Sequence, residues 1–256
     1  PRAIGCEVSF LELAFENNFQ YTTNDIAKHI KPNTKLISIT VPHNPTGTVL
    51  PWEELKKIVA LAEEEHCWLL VDETYRGLGQ EHPLATTLSK RVLSVGSLSK
   101  SYGLPGLRLG WLITRDDTLA ETFLAAKEQI VITGPIIEEE IAYQVYKKRD
   151  ELLKQINQER DIALRVVKNW IANEPMMEWV EPSGGVVCFP RIKAAAGVNT
   201  EAFHKRINKL GTFVGPGHWF EQERRYMRLG YAWPTLQELE TGLEKISQAL
   251  RETIKD

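Results

Sequence analysis

The sequence predicts an α/β protein with a three-layer, mostly parallel sheet in a large first domain and a smaller α/β unit after it. Three observations carry this. The apolar runs "TKLISITV" (34–41), "CWLLVDETY" (67–75) and "RVLSVGSLS" (91–99) are separated by a helical pattern, at the spacing of βαβ units. Each run ends on a polar cluster, at 42–47, 72–75 and 97–100. In an open α/β sheet, that end of the strands borders the ligand crevice. From about Thr118 the pattern changes to long charged amphipathic helices, and strand and helix signals then return. The expected division is 1–150 and 151–256, with a long helix joining the two.

The elements follow in order. The opening "EVSFLELAF" (7–15) alternates loosely and is rich in β-formers, so it reads as strand-like. "TTNDIAKHIKPN" (22–33) reads as a short capped helix stopped by Lys31 and Pro32. "TKLISITV" has the continuous apolar pattern of a strand covered on both faces. "PWEELKKIVALAEEEH" (51–66) has proline at its start and acids in its first turn. Its residues Leu55, Ile58, Val59 and Ala62 share one face. "DELLKQINQERDIALRVVKNWIAN" (150–173) is the longest helical stretch. "MMEWVEPSGGVVCFPRI" (176–192) reads as two strands around a turn, and "TEAFHKRINKLG" (200–211) as a helix stopped by Gly211. "RRYMRLGYAW" (224–233) reads as a strand, and "TLQELETGLEKISQALRE" (235–252) as a closing amphipathic helix.

Bulk properties narrow the function. The 256 residues carry 31 basic and 34 acidic side chains, a net charge of −3 with no basic block, which argues against a nucleic-acid partner. No apolar run is long enough to span a bilayer. Cys6, Cys67 and Cys188 are odd in number and widely spaced. They form neither a disulfide framework nor a metal pattern, and the expected setting is the reducing cytoplasm.

The polar clusters hold the candidate chemistry. Lys100 lies in "SLSKSYGLPGLRLGWL" (97–112), just past a strand and among Ser97, Ser99, Ser101 and Gly103. The apolar, small flanks predict that it is partly buried. Burial disfavours an ammonium and leaves a nucleophilic amine suited to a Schiff base. Arg108 follows, and has two readings: a surface ion pair, or a phosphate fork working with the serine hydroxyls. Asp72 ends an apolar strand, where a carboxylate is paired, functional, or a cap. Glu73 reads as its polar neighbour, and Tyr75, two further on, as lying on the same side as Glu73 if the strand continues. "PHNPTG" (42–47) is either a plain turn or a rigid loop presenting Asn44 to a ligand, with His43 as packing. Arg228, inside "YMRLGYA", is either an edge-strand arginine or a carboxylate clamp. Arg224 and Arg225, in "EQERR", read as solvated.

Taken together, Asn-Pro-x-Gly, Asp-x-x-Tyr, Ser-x-Ser-Lys with a following Arg, and a late strand Arg resemble the fold type I pyridoxal-phosphate enzymes. More narrowly they resemble the class I/II aminotransferases, and "SLSKSYGLPGLRLGW" carries the most specific part of the likeness. The resemblance implies an aspartate-aminotransferase-like fold and pyridoxal 5'-phosphate bound to Lys100 as a Schiff base. Asp72 would pair with the ring nitrogen, Tyr75 and Asn44 with the ring's phenolic oxygen, and Ser97, Arg108 and Ser99 with the phosphate. Arg228 would hold the substrate carboxylate. It further implies amino group transfer between an amino acid and a 2-keto acid, in a homodimer. Rival readings keep the cofactor but change the reaction: an oxidase or hydroxylase of a cationic amino acid such as arginine, a β-lyase, or a decarboxylase. Another is a non-catalytic regulator domain. The family's segment ahead of "GCEV" supplies a Gly-rich phosphate turn, a ring-stacking aromatic and part of the substrate pocket. It has no counterpart in these residues, so the chain reads as beginning inside a domain.

Overall fold

Parallel strands need a crossover between them, and the helical stretch at 51–66 supplies one. The computed structural model describes residues 1–79 and 82–254. These form two units, one from Pro1–Pro42 and Val49–Arg149, the other from His43–Thr48 and Asp150–Asp256.

In the first unit, β1 (Leu36–Thr40), β2 (Trp68–Asp72), β3 (Val92–Ser97) and β4 (Gly110–Ile113) lie in that order in one sheet. β1 to β3 are parallel and β4 is antiparallel to β3. The register aligns Thr40 with Asp72 and Asp72 with Val95, so the strands end together. Helix α1 (Thr23–Ala27) begins with a capping box between Thr22 and Asp25. The Lys28 ammonium and the Thr22 donors pull the Asp25 carboxyl down to about 2. Helix α2 (Trp52–Glu64) buries the predicted face, Leu55, Ile58, Val59 and Ala62, in one cluster with Ile37, Ile39, Leu69, Val71 and Val92. Helices α3 (Asp117–Ile130) and α4 (Ile136–Lys147) bury no residue.

Two sequence expectations are corrected here. Residues 7–14 form no strand, because no neighbouring strand accepts their backbone hydrogen bonds among the described residues. Nor is β1 covered on both faces. Its burial alternates, with Ile37 and Ile39 inside but Leu36 48% exposed, because α2 covers one face of the sheet and no described helix buries the other.

The second unit is built on α5 (Arg149–Asn173). Strands β5 (Met177–Glu178) and β7 (Arg191–Ile192) pair with each other. β6 (Val187–Cys188), β8 (Gly215–Pro216) and β9 (Met227–Gly230) form a separate antiparallel sheet in the order β6-β9-β8. The stretch read as two strands therefore holds three short ones divided between two sheets. Helix α6 (Thr200–Lys209) is capped by Asn199 and followed by Gly211 at φ 74°. Helix α7 (Leu236–Arg251) opens on a Thr235–Glu238 capping box. Its Leu239, Leu243, Ile246, Ala249 and Leu250 join Phe203, Ile207 and Tyr231 in the core. Among the described residues, no helix is long and apolar enough to cross a membrane.

Candidate functional site

β2 and β3 run side by side, and alternation fixes which side chains share a face. Leu70 and Asp72 on β2 align with Leu93 and Val95 on β3, and Ser97 continues that series. This face is the partly exposed one, so Asp72 and Ser97 are held on ordered strand ends yet remain accessible. Asp72 accepts a hydrogen bond from the Thr74 N–H at 2.9 Å, which fixes its carboxylate. Ser97 Oγ accepts one from the Ser99 N–H at 3.2 Å.

Lys100 is exposed, which corrects the expectation of a partly buried amine. Leu98 and Ser101 take the inside of the loop instead, each 2% exposed. Backbone bonds from Leu98 N to Leu109 O, Leu104 N to Leu98 O and Gly103 N to Lys100 O close the loop and turn the lysine outward. No carboxylate pairs with its ammonium among the described residues. Ser101 Oγ lies 2.9 Å from the Thr74 carbonyl and 2.8 Å from the Arg76 carbonyl, so the lysine loop is bonded to the loop that follows Asp72. Tyr75, between those two carbonyls, is buried.

Arg108 is not brought onto the serines. It is exposed, at φ 54°, and its Nη1 donates to the Pro105 carbonyl at 2.8 Å. The Pro105 turn curls this side chain back along its own loop.

Glu73 is more than a polar neighbour. The residue after Asp72 faces the opposite side of the strand, and Glu73 is 5% exposed there. Its Oε1 accepts from the Ala85 N–H at 3.2 Å and lies 3.8 Å from His82 Nδ1. Its Oε2 and His82 Nε2 are buried with no hydrogen-bond partner among the described residues. Burial raises the Glu73 carboxyl above its ordinary 4.5. The folded protein then binds a proton that the unfolded chain has released, so the stability associated with Glu73 falls as pH rises above 4.5. Glu73→Gln keeps an acceptor for Ala85 and removes the charge. We expect it to melt higher than the parent at pH 7–8 and level with it near pH 4.5; a variant that is less stable at every pH rejects this account.

In the second unit, Asn44 and Arg228 meet. Arg228, on β9, donates from Nη1 to Asn44 Oδ1 at 3.1 Å, and its guanidinium carbon lies 5.0 Å from the Phe220 ring centroid. The ring fixes the plane of the fork. The loop at 43–48 is held by His43 N to Thr48 O and by Gly47 N to His43 O. His43 Nδ1 is 2.9 Å from Thr46 Oγ1, and burial pushes its imidazole down to about 4, so at neutral pH it is an uncharged packing group. Arg225 is half-buried rather than solvated, paired with Glu223 and lying over Tyr226. Phe220, Ser101 and the Glu73–His82 pair were not read as site or framework groups from the sequence. The only local sign was the run of serines around Lys100.

With Asp72 closing one parallel strand and Lys100 just past the end of the next, the chain has the fold of the pyridoxal-phosphate fold type I class. The chain belongs to the aminotransferase class I and II family, whose pattern it matches over residues 2–246. It is 32% identical over 251 residues to capreomycidine synthase of Streptomyces vinaceus, covering 97% of this chain and 64% of that protein. It is 28% identical over 254 residues to an aspartate aminotransferase of Pyrococcus horikoshii, covering 94% of this chain and 63% of that one. A solved PLP-dependent aminotransferase from Streptococcus suis superposes with a TM-score of 0.91 at 28% identity, over 100% of this chain and 67% of that one. The chain thus spans just under two thirds of the length of these curated relatives. The cofactor of the family is pyridoxal phosphate, and the donor set fits it: an exposed primary amine for an aldehyde, a fixed carboxylate for a ring nitrogen, and hydroxyls for a phosphate.

Proposed function

We propose that the protein is a pyridoxal-phosphate-dependent aminotransferase moving an amino group between an amino acid and a 2-keto acid. The observation that carries this reading is an outward Lys100 amine, without a carboxylate partner among the described residues, on the loop beside the strand end that holds the Asp72 carboxylate. Bound cofactor supplies an electron sink for charge that develops at the substrate α-carbon. Lys100 Nζ would hold the cofactor covalently and, once free of it, would take the α-proton and return it, as anchor, base and acid in turn. Asp72 would hold a proton on the ring nitrogen. Tyr75 and Asn44 would serve the ring's phenolic oxygen, and Ser97, Ser99 and Arg108 the phosphate. Arg108 must leave Pro105 to take that part.

Arg228 binds the substrate carboxylate, with Asn44 and Phe220 orienting its fork. Lysine lacks the planar fork. Arg228→Lys is therefore expected to lower kcat/KM roughly 10–100-fold, mainly through KM, the scale of one charge-assisted hydrogen bond. An unchanged KM for the amino acid places the carboxylate elsewhere.

A homodimer is part of this reading. Ile130, Ile132, Ile136, Ile137 and Tyr143, at the end of α3, in the turn after it and on α4, are all exposed, the kind of apolar residues that proteins cover with a partner.

The test has two stages. Protein mixed with pyridoxal phosphate and reduced with borohydride is digested and mapped; cofactor fixed at Lys100 supports the reading. An amino-donor panel with and without a 2-keto acid acceptor then reads the reaction. Keto acid formed without an acceptor, with oxygen uptake, overturns transamination. That outcome would favour the second reading, another pyridoxal-phosphate reaction on an amino acid, which is supported by the relative named a synthase rather than a transaminase.

A further inference from the structure

Ser101 sits beside Lys100 and faces inward where Lys100 faces outward. It is 2% exposed, and its single hydroxyl proton is shared between the carbonyls of Thr74 and Arg76, at 2.9 and 2.8 Å. Those carbonyls flank Tyr75. Thr74 is held at both ends, since its N–H donates to Asp72 Oδ1 and its carbonyl accepts from Ser101. A short path therefore runs from Lys100 to the Asp72 carboxylate through one covalent neighbour, one hydroxyl and one residue.

We propose that Ser101 is a positioning residue, whose hydroxyl sets the Lys100 loop against the loop carrying Asp72 and Tyr75. The proposal rests on the aminotransferase reading for its chemical consequence, though the link between the loops stands without it. Chemistry at a lysine tolerates little displacement from the groups that share its cofactor, because a shift of about 1 Å can cost about 100-fold in rate. The neighbouring serines cannot replace Ser101. Ser97 Oγ is engaged with Ser99 N, and both lie on the half-exposed side of the loop. Removing the buried Ser101 hydroxyl takes one donor from both carbonyls and cuts the side-chain link between the two loops, which relax apart.

The experiment compares the wild type with Ser101→Ala, both loaded with pyridoxal phosphate. The pH midpoint of the lysine-bound cofactor's absorbance is titrated, and kcat and KM are measured separately. The expected result is a midpoint moved by about one pH unit and a kcat lowered about tenfold with KM within about twofold, because positioning is lost while carboxylate binding is kept. A folded Ser101→Ala protein with the wild-type midpoint and kcat overturns the proposal. If Ser101→Ala does not fold, Ser101→Cys is read in its place, since a thiol keeps the shape and donates weakly; the same two outcomes decide. If the wild type takes up no cofactor, the aminotransferase reading fails, and amide hydrogen exchange decides the link by itself. Exchange at residues 74–76 should then rise about tenfold or more in Ser101→Ala, and unchanged exchange overturns the link.

Discussion

Lys100→Ala is expected to abolish turnover, by at least about 10³-fold in kcat/KM, while leaving the fold intact. The size follows from three roles on one nitrogen. A positioned acid or base alone contributes about 10²–10⁴-fold. The same change also removes the nucleophile that holds the cofactor, and water carries protons poorly in its place. The fold is spared because the Lys100 side chain is exposed, pairs with no carboxylate among the described residues, and lends only its backbone carbonyl to Gly103. A surface substitution of this kind changes stability by about 0.5 kcal/mol or less. The measurements are steady-state kinetics beside a urea melt, with borohydride reduction as the chemical control. A variant that keeps more than a tenth of wild-type kcat removes Lys100 from the mechanism. One that fails to fold removes the claim that its side chain is structurally idle.

That idleness shows where the sequence could and could not be read. The buried face of α2 was legible because helical period and burial are two expressions of one geometry; Leu55, Ile58, Val59 and Ala62 are inside as expected. The strand ends carrying Asp72 and Ser97 were legible because an apolar run stops where polar residues begin. Local hydrophobicity does not say which side chain of a loop turns inward, however, and here it is Ser101 rather than Lys100. Alternation at residues 7–14 could not say whether a partner strand exists. The antiparallel β4 follows a Gly- and Pro-rich loop, and its pairing with β3 from Gly110–Ser97 to Ile113–Ser94 reveals it. The bond between Asn44 and Arg228 spans 184 residues. Each residue had a plain local explanation, as a turn or as an edge arginine, and no local pattern can report so distant a contact.

Gly47 joins stability to that distant contact, and Gly47→Ala is expected to be the most damaging small substitution in the Asn44 loop. The residue has φ 71°, and a Cβ there would stand 2.5 Å from Pro182 Cβ, 2.5 Å from the Val187 carbonyl oxygen and 3.1 Å from that of Gly184. These neighbours cannot easily retreat, because the Ser183 and Gly184 N–H groups both donate to the Gly47 carbonyl at 2.9 Å. A left-handed conformation costs a residue with a Cβ about 1–2 kcal/mol. Forcing atoms into a packed site costs about 1–3 kcal/mol more, for an expected loss of about 2–5 kcal/mol in a urea melt. Gly103, on the lysine loop, separates the two contributions. Its φ is 65° but nothing among the described residues lies within 4 Å of its Cβ position, so Gly103→Ala should lose only the conformational part, about 1–2 kcal/mol. Equal losses at the two glycines would show that the close packing around Gly47 yields without cost. A large excess at Gly47, with KM for the amino acid rising in whatever fraction stays folded, would show that the loop orients Asn44, and through it Arg228, by being unable to move.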